Sequence, residues 1–231
     1  NDDSGGNSEA FGYVMGVWER LLLIHLLRCF EQRNWFERLS AVAFFLDGPL
    51  AVFGPPAWLS AAISQELQRL NTVVRSKTGN DMIIVGIEKS GNFVAHFEEI
   101  DKRVDGGQNF QPGSYFLPTD SYIKERIIFS DSAKRYGADT YFGRKLFYKT
   151  KSGAQIVANI PFLTPEQDTL ASDDPALYPR FGTVCALLDK LVTSRFPNAL
   201  GPIVSAHAQA SIPLQLGQKV LKQLAQALMR K

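Results

Sequence analysis

Residues 81–91 read DMIIVGIEKSG and carry the clearest strand signal in the chain. Between positions 83 and 87, four Val and Ile residues form a nearly continuous apolar run. Such a run is typical of a strand that is covered on both faces by other elements. It gives way to Glu88 and Lys89 and then to a Ser-Gly pair, which indicates a loop. The sequence therefore predicts a buried strand with a carboxylate at its end.

A second carboxylate, Asp47, interrupts the apolar stretch FLDGPLAVFG at residues 45–54. The preceding residues 41–46 predict a strand, and LAVFG predicts a short second one. An Asp-Gly pair between two strands is the usual signal of a hairpin turn. The alternative is a metal ligand at the end of a buried strand, because an unpaired buried carboxylate is costly.

The remaining segments alternate between helical and strand patterns. Apolar residues recur at helical spacing from residue 58 to about 75, and residues 139–162 alternate as a hairpin. Other predicted helices cover residues 9–38, 92–103, 178–195 and 214–231, and GPIVSAH (201–207) predicts a short strand. This order predicts an α/β fold with a mixed sheet flanked by helices. We expect an N-terminal helical segment (1–40), used in packing or assembly, before a main domain (41–231).

Composition narrows the functional classes. The 231 residues are 45% apolar and 21% charged, as in ordinary soluble domains. The net charge of +2 gives no overall basic field, so a nucleic acid would need a local patch. Two isolated cysteines favour a reducing, cytoplasmic location over a disulfide scaffold or thiolate metal site. Charged residues interrupt the apolar stretch at 17–30, which predicts no membrane span.

Three acidic residues occupy comparable positions along the chain. Asp47 and Glu88 close apolar strands, and Asp120 stands near the start of a helix, where Thr119 or Asp120 is the expected N-cap. Ligands of α/β sheets gather outside strand ends, so folding could bring these carboxylates together. Clustered carboxylates repel each other unless a cation neutralises them, and oxygen ligands suit Mg²⁺ or Mn²⁺. Two such ions can clamp the attacking and leaving oxygens of a phosphodiester.

Five segments, in their order along the chain, resemble the NurA family of DNA-repair nucleases. The likeness extends from about residue 41 to the C-terminus, and the quoted segments are FLDGPLAVFGPPAWL, VGIEKSG, PTDSYIKERI, YFGRKLFYKTKSG and IVSAHAQA. The resemblance implies an RNase H-like fold with 5′ to 3′ exonuclease and single-strand endonuclease activity on DNA. It also implies a homodimer that works with a HerA-type hexameric ATPase in end processing, repair or defence against phage.

The resemblance also implies roles for individual residues. Asp47, Glu88 and Asp120 match the acidic ligands of a two-ion Mn²⁺ or Mg²⁺ site, and His207 matches a histidine near that site. Lys89, beside Glu88, would balance charge at the scissile phosphate. The interval between Glu88 and Asp120 is long, so two further acids, Asp101 and Asp105, compete for the third place.

The chain departs from the family in one position of the last motif. The family often carries a tyrosine shortly before the final histidine, whereas the aromatic residue near His207 is Phe196. The chain is also short for the family. We therefore assign no residue of this chain to the role of that tyrosine.

Basic and apolar segments suggest contacts with partners. A phosphate-binding patch is predicted from four basic residues: Lys124, Arg126, Arg144 and Lys145. Tyr141, Phe142 and Phe147 are candidates for stacking on unpaired bases. The N-terminal and C-terminal helices are the candidate assembly surfaces. Two other functions remain open, namely a non-catalytic adaptor of a DNA translocase and an RNA-cleaving nuclease.

Overall fold

A five-stranded mixed sheet lies at the centre of the fold. The computed structural model describes residues 4–102, 110–164, 173–193 and 195–210, together with positions 223 and 226. The strands are β1 (Ala43–Asp47), β2 (Ile83–Glu88), β3 (Tyr115–Phe116), β4 (Gly143–Lys149) and β5 (Gln155–Pro161). Their spatial order is β1-β2-β5-β4-β3. The pair β1-β2 is parallel, and the other three pairs are antiparallel.

Helices flank this sheet, which confirms the predicted α/β class with a mixed sheet and an N-terminal helix. The helices are α1 (Ser4–Gln32), α2 (Phe36–Ala41), α3 (Leu59–Thr78), α4 (Asn92–Lys102), α5 (Asp120–Ile123), α6 (Phe181–Leu191) and α7 (Gly201–Ala210). Two further strands, β6 (Val192–Thr193) and β7 (Phe196–Leu200), form a separate antiparallel pair. The predicted C-terminal helix falls mostly outside the described residues.

Strand β2 is buried on both faces, as its apolar run predicts. Ile84 packs into one core cluster with residues of α1 and α3, such as Leu27 and Leu67. On the opposite face, Val85 and Ile87 pack in a second cluster with residues of α6 and α7. Both faces of β2 are therefore closely packed up to Ile87, and Glu88 follows directly after this packed segment.

The chain does not turn back as a hairpin after Asp47. The Gly48 amide instead donates to the carbonyl of Ile87 over 2.8 Å, and the following residues cross over β2. Gly86 permits this crossing, because a Cβ there would lie 2.6 Å from the Gly48 carbonyl oxygen. The hairpin interpretation of Asp-Gly is therefore wrong.

Two predicted strands also differ in the structure. LAVFG contributes only one isolated bridge, between Ala51 and Tyr141, before a short 3₁₀ turn at Pro55–Trp58. GPIVSAH forms most of α7, and the strand precedes it as β7. A proline in the first turn of a helix costs no hydrogen bond, because the amide it replaces has no partner within the helix.

Helix α1 has two apolar faces. Leu23, Ile24 and Leu27 are buried in the core cluster that also contains α3. A second face is exposed and comprises Phe11, Val14, Met15, Trp18, Leu21, Leu22 and Leu26. By length and composition alone, Glu9–Gln32 is apolar enough to cross a membrane, and 22% of its most apolar window is buried. Buried core helices of soluble proteins and N-terminal signal sequences meet the same two criteria of length and composition.

Candidate active site

Asp47 lies at the carboxyl end of β1, where residues distant in sequence meet. Its register partner on β2 is Ile87, so Glu88 follows one residue further along the neighbouring strand. The Lys89 ammonium donates to Asp47 Oδ2 over 2.8 Å. His207, on α7, places Nδ1 3.5 Å from the same oxygen. The fold therefore brings together three of the residues predicted for the site, separated by up to 160 positions in sequence.

Glu88 is held more deeply than Asp47, with only 9% of its side chain exposed. The Lys145 ammonium forms an ion pair with Glu88 Oε1. Asn159 is fully buried on β5, and its side-chain amide nitrogen donates a hydrogen bond to the same oxygen over 2.6 Å. Burying a carboxylate is tolerated when an opposite charge and a hydrogen bond compensate for lost water, and both are present here.

Lys145 is the buried partner of this ion pair, with 2% of its side chain exposed. Its ammonium lies 4.1 Å from the ring centroid of Phe93 and 4.3 Å from that of Tyr141. The pKa of Lys145 is lowered to about 8, because burial disfavours the charged form more than Glu88 favours it. Lys145 therefore neutralises the charge of Glu88 inside the protein. It does not present a cation to solvent, as a phosphate-binding residue would.

Both acids line one cleft of about 360 Å³. Its wall is a series of contacting rings in which Phe53 meets Tyr141 at 5.6 Å and Tyr141 meets Tyr136 at 5.3 Å between centroids. The cleft therefore combines carboxylates at one end with aromatic surface along one side. Sites for organic ligands commonly combine apolar walls with a few fixed polar groups.

The two acids retain coordination capacity for a hard cation. Lys89 and His207 both contact Oδ2 of Asp47, and Lys145 and Asn159 both contact Oε1 of Glu88. In the described parts of the chain, no hydrogen bond reaches Asp47 Oδ1 or Glu88 Oε2. Carboxylate oxygens are the ligands that Mg²⁺ and Mn²⁺ prefer, so each acid offers a suitable oxygen to such an ion. The register of β1 and β2 places Asp47 on the sheet face of Ile87 and Glu88 on the face of Ile84, so the two carboxylates leave opposite faces at the edge where the cleft lies.

Asp120 lies beside a different cavity. Lys124 is 2.6 Å from Oδ2, and the backbone amide of Tyr136 donates to Oδ1. Thr119 is the N-cap of α5, and its hydroxyl accepts from the Tyr122 amide over 3.3 Å. The adjoining cavity, of about 40 Å³, is lined by Asp120 and by Arg144 among others. This cavity shares Tyr136 and Tyr141 with the cleft and is also lined by Lys145, so Asp120 lies next to the cleft but is not among the residues that line it.

Asp101 and Asp105, the two other candidates for the third metal ligand, differ in what the structure describes. Asp101 is 3% exposed and accepts from Lys149 at 2.7 Å and from Gln155 at 2.6 Å. These partners lie near the opposite end of β4 and β5 from Glu88. Asp105 falls outside the described residues. Within residues 4–102, 110–164 and the later described ranges, no three His, Cys, Asp or Glu side chains form a metal-binding group.

The predicted phosphate-binding residues differ in exposure and in their partners, although Arg144 and Lys145 both line the cavity beside Asp120. Arg126 is exposed, Lys124 is paired with Asp120, and the guanidinium of Arg144 lies 5.3 Å from the ring centroid of Phe162. The aromatic candidates separate in the same way. Phe142 and Phe147 are fully buried, whereas Tyr141 lines the cleft.

Sequence reasoning did not identify Asn159 as part of the site. It interrupts the apolar strand AQIVANIPF, where an amide is unexpected on a fully buried position. A polar residue inside a buried strand requires a hydrogen-bonding partner, and this requirement was the available signal. Tyr136 carried no comparable signal, because its contact with the cleft depends on the loop that precedes β4.

Comparisons with known proteins yield no relative. No family model, curated protein or solved structure matches this chain.

Proposed function

We propose that this protein is a metal-dependent nuclease that cleaves DNA in the cleft at the ends of β1 and β2. The observation that carries the proposal is the meeting of Asp47, Lys89 and His207 beside Glu88, at the edge where two parallel strands end. A NurA-type enzyme with an RNase H-like core fits this arrangement. A nuclease that acts on cellular DNA would be located in the cytoplasm.

The chain's own residues have distinct roles in this proposal. Asp47 and Glu88 would hold Mn²⁺ or Mg²⁺ through Oδ1 and Oε2, the carboxylate oxygens that accept no hydrogen bond from the described residues. When bound, such ions activate water and neutralise charge on the phosphate. Lys89 supplies a positive charge beside Asp47, and Lys145 with Asn159 fixes Glu88 in one orientation. The imidazole of His207, which is largely exposed and lies beside Asp47 Oδ2, would help to position the phosphate.

The proposed catalytic reaction is tested directly with the full chain. We expect Mn²⁺ or Mg²⁺ to support cleavage of single-stranded DNA, with EDTA abolishing it and an RNA strand of equal length cut more slowly. Equal or faster RNA cleavage would identify an RNA nuclease instead. Absence of cleavage, even with a hexameric HerA-type ATPase added, would favour the adaptor function.

The exposed apolar face of α1 is a candidate surface for binding a protein partner. Within this face, Phe11, Met15, Trp18 and Leu22 follow the alternating spacing of four and three residues that is typical of coiled-coil seams. An exposed apolar surface of this kind marks a protein or membrane interface, and the coiled-coil spacing favours a protein partner. We propose that it pairs two copies of the chain, and that the resulting homodimer docks on the ATPase ring.

Charging this seam is expected to separate the dimer. We expect the unmodified chain to be dimeric in sedimentation equilibrium, and the Trp18→Glu and Leu22→Glu double variant to be monomeric. Two carboxylates in an apolar interface lose hydration without gaining partners. Trp58→Glu, at an equally exposed position outside α1, should leave the dimer intact. A monomeric unmodified chain at micromolar concentration would contradict the proposal.

A further inference from the structure

Phe129 has an unusual conformation and environment. It ends the single π-helical turn Lys124–Ile128 that follows α5, with φ 54° and ψ 61°. This left-handed conformation is typical of glycine or asparagine at a helix end and is strained for a bulky side chain. The ring is nevertheless 80% exposed, the highest exposure among the large hydrophobic residues of the described chain.

Neither backbone preference nor packing explains a phenylalanine at this position. A single exposed apolar side chain is common on protein surfaces. Exposure combined with a strained backbone is different, because the residue contributes no burial to offset the strain. Strained residues concentrate at functional sites, where the conformation presents a group for binding.

The location of Phe129 connects it to the cleft. The preceding residue, Ile128, lines the cleft together with Asp47 and Glu88. Phe53, 45% exposed, belongs to the aromatic wall of the same cleft. Arg126, which is exposed on the turn that carries Phe129, places a positive charge three positions before the ring in sequence. An aromatic ring beside a cation is the combination that binds unpaired bases and their phosphates.

We propose that Phe129 stacks on an unpaired base of a nucleic-acid strand whose neighbouring phosphate lies at Asp47 and Glu88. This inference rests on the proposed nuclease function and names how its substrate is positioned. Phe129 is a positioning residue, since it contacts a base next to the reacting phosphate. The cleft behind Phe129 favours a nucleic acid over a protein partner, because its carboxylates and fixed cations suit a metal-bridged phosphate.

The test compares two probes that carry the same phosphates. Ca²⁺ replaces Mn²⁺, so that a cation stays available to the carboxylates while cleavage is suppressed, and the anisotropy of fluorescein-labelled oligo(dT) is measured against that of an abasic strand of equal length. The unmodified chain should bind oligo(dT) more tightly. Phe129→Asn should weaken oligo(dT) binding by roughly 5- to 150-fold, the range for losing one stacked base, and leave abasic binding unchanged.

Asparagine also separates the stacking role from a structural one. Because asparagine tolerates the left-handed conformation, Phe129→Asn should melt no lower than the unmodified chain. Phe129→Gly serves as a second variant with the same expectation for both binding and melting. Tyr115→Asn, which removes a half-exposed ring on the far edge strand β3, should bind both probes as the unmodified chain does.

The outcomes distinguish this inference from the nuclease proposal. Equal binding of oligo(dT) and the abasic strand, or unchanged oligo(dT) binding by Phe129→Asn, would overturn the stacking role even if DNA is cleaved. A variant that loses affinity only for a protein partner would overturn it too. Loss of oligo(dT) binding in Phe129→Asn, with full cleavage by Asp47→Asn, would support stacking and reject the nuclease site.

Discussion

Replacing Asp47 with asparagine is expected to reduce metal-dependent DNA cleavage by about 1,000-fold or more, equivalent to roughly 4 kcal/mol of transition-state stabilisation. Asparagine keeps the size of the side chain but removes the charge that would hold the ion. The measurement is the initial rate of cleavage of a labelled single strand at saturating Mn²⁺. The variant should also need more Mn²⁺ to reach half of its residual rate.

The stability of this variant should remain close to that of the unmodified chain. Asp47 and Lys89 are about one third exposed, so their ion pair contributes less than ~1 kcal/mol. Lost cleavage therefore cannot be attributed to unfolding. Glu37→Gln, an exposed substitution on α2, is the matched control and should cut normally. An Asp47→Asn variant that cuts at the unmodified rate would remove Asp47 from the site.

Glu88 is a less direct test of the same site. Its carboxylate compensates the buried ammonium of Lys145, so removing it also leaves that cation without its partner. Breaking a buried pair on one side destabilises a protein strongly. Loss of cleavage in a Glu88 variant would therefore combine a catalytic and a folding effect, whereas Asp47 separates them.

Local patterns predicted the elements whose burial follows their own periodicity. The helix expected from residue 58 to about 75 is α3 (Leu59–Thr78), and the hairpin expected within 139–162 is β4 and β5. In each case the apolar spacing alone defines the face that packs. Apolar runs that end in Asp47 and Glu88 also placed both acids at one edge of the sheet, but they did not predict the face on which each side chain lies, because that depends on the register between β1 and β2.

Features that depend on contacts between distant segments could not be predicted in this way. LAVFG has the composition of a strand, yet it crosses over β2 where Gly86 leaves room. Lys145 has the appearance of a surface cation within an alternating strand, but Glu88 from β2 draws it into the core. The residues that form these two contacts are far apart in sequence, so no local spacing pattern indicates that they meet.

Asp101 tests this distinction between a structural acid and a ligand. It was a candidate third metal ligand, and the fold instead buries it against Lys149, with 4% and 1% of the side chains exposed. Replacing Asp101 with asparagine removes the carboxylate that forms an ion pair with the buried Lys149 ammonium. We expect the free energy of unfolding to fall by about 3–5 kcal/mol at pH 7, measured by urea denaturation.

The effect of this substitution should depend on pH. Burial raises the pKa of Asp101, but hydrogen bonds from Lys149, the Phe110 amide and Gln155 outweigh it and hold the pKa below its usual value. A depressed pKa means that the charged form stabilises the fold above the unfolded pKa of about 3.9. That contribution is lost as pH falls through the lower folded pKa. The difference between the unmodified chain and Asp101→Asn should therefore shrink in strongly acidic solution.

A matched substitution separates the buried pair from an exposed one. Asp139→Asn removes a carboxylate that also contacts a lysine, Lys134, but more than two thirds of both side chains are exposed. Its cost should be below ~1 kcal/mol. If Asp101 were instead a metal ligand, Asp101→Asn would retain its stability and lose Mn²⁺-dependent cleavage. A destabilised variant that still cleaves DNA at a temperature where it is folded would assign Asp101 to the core, because a ligand's loss cannot leave the reaction intact.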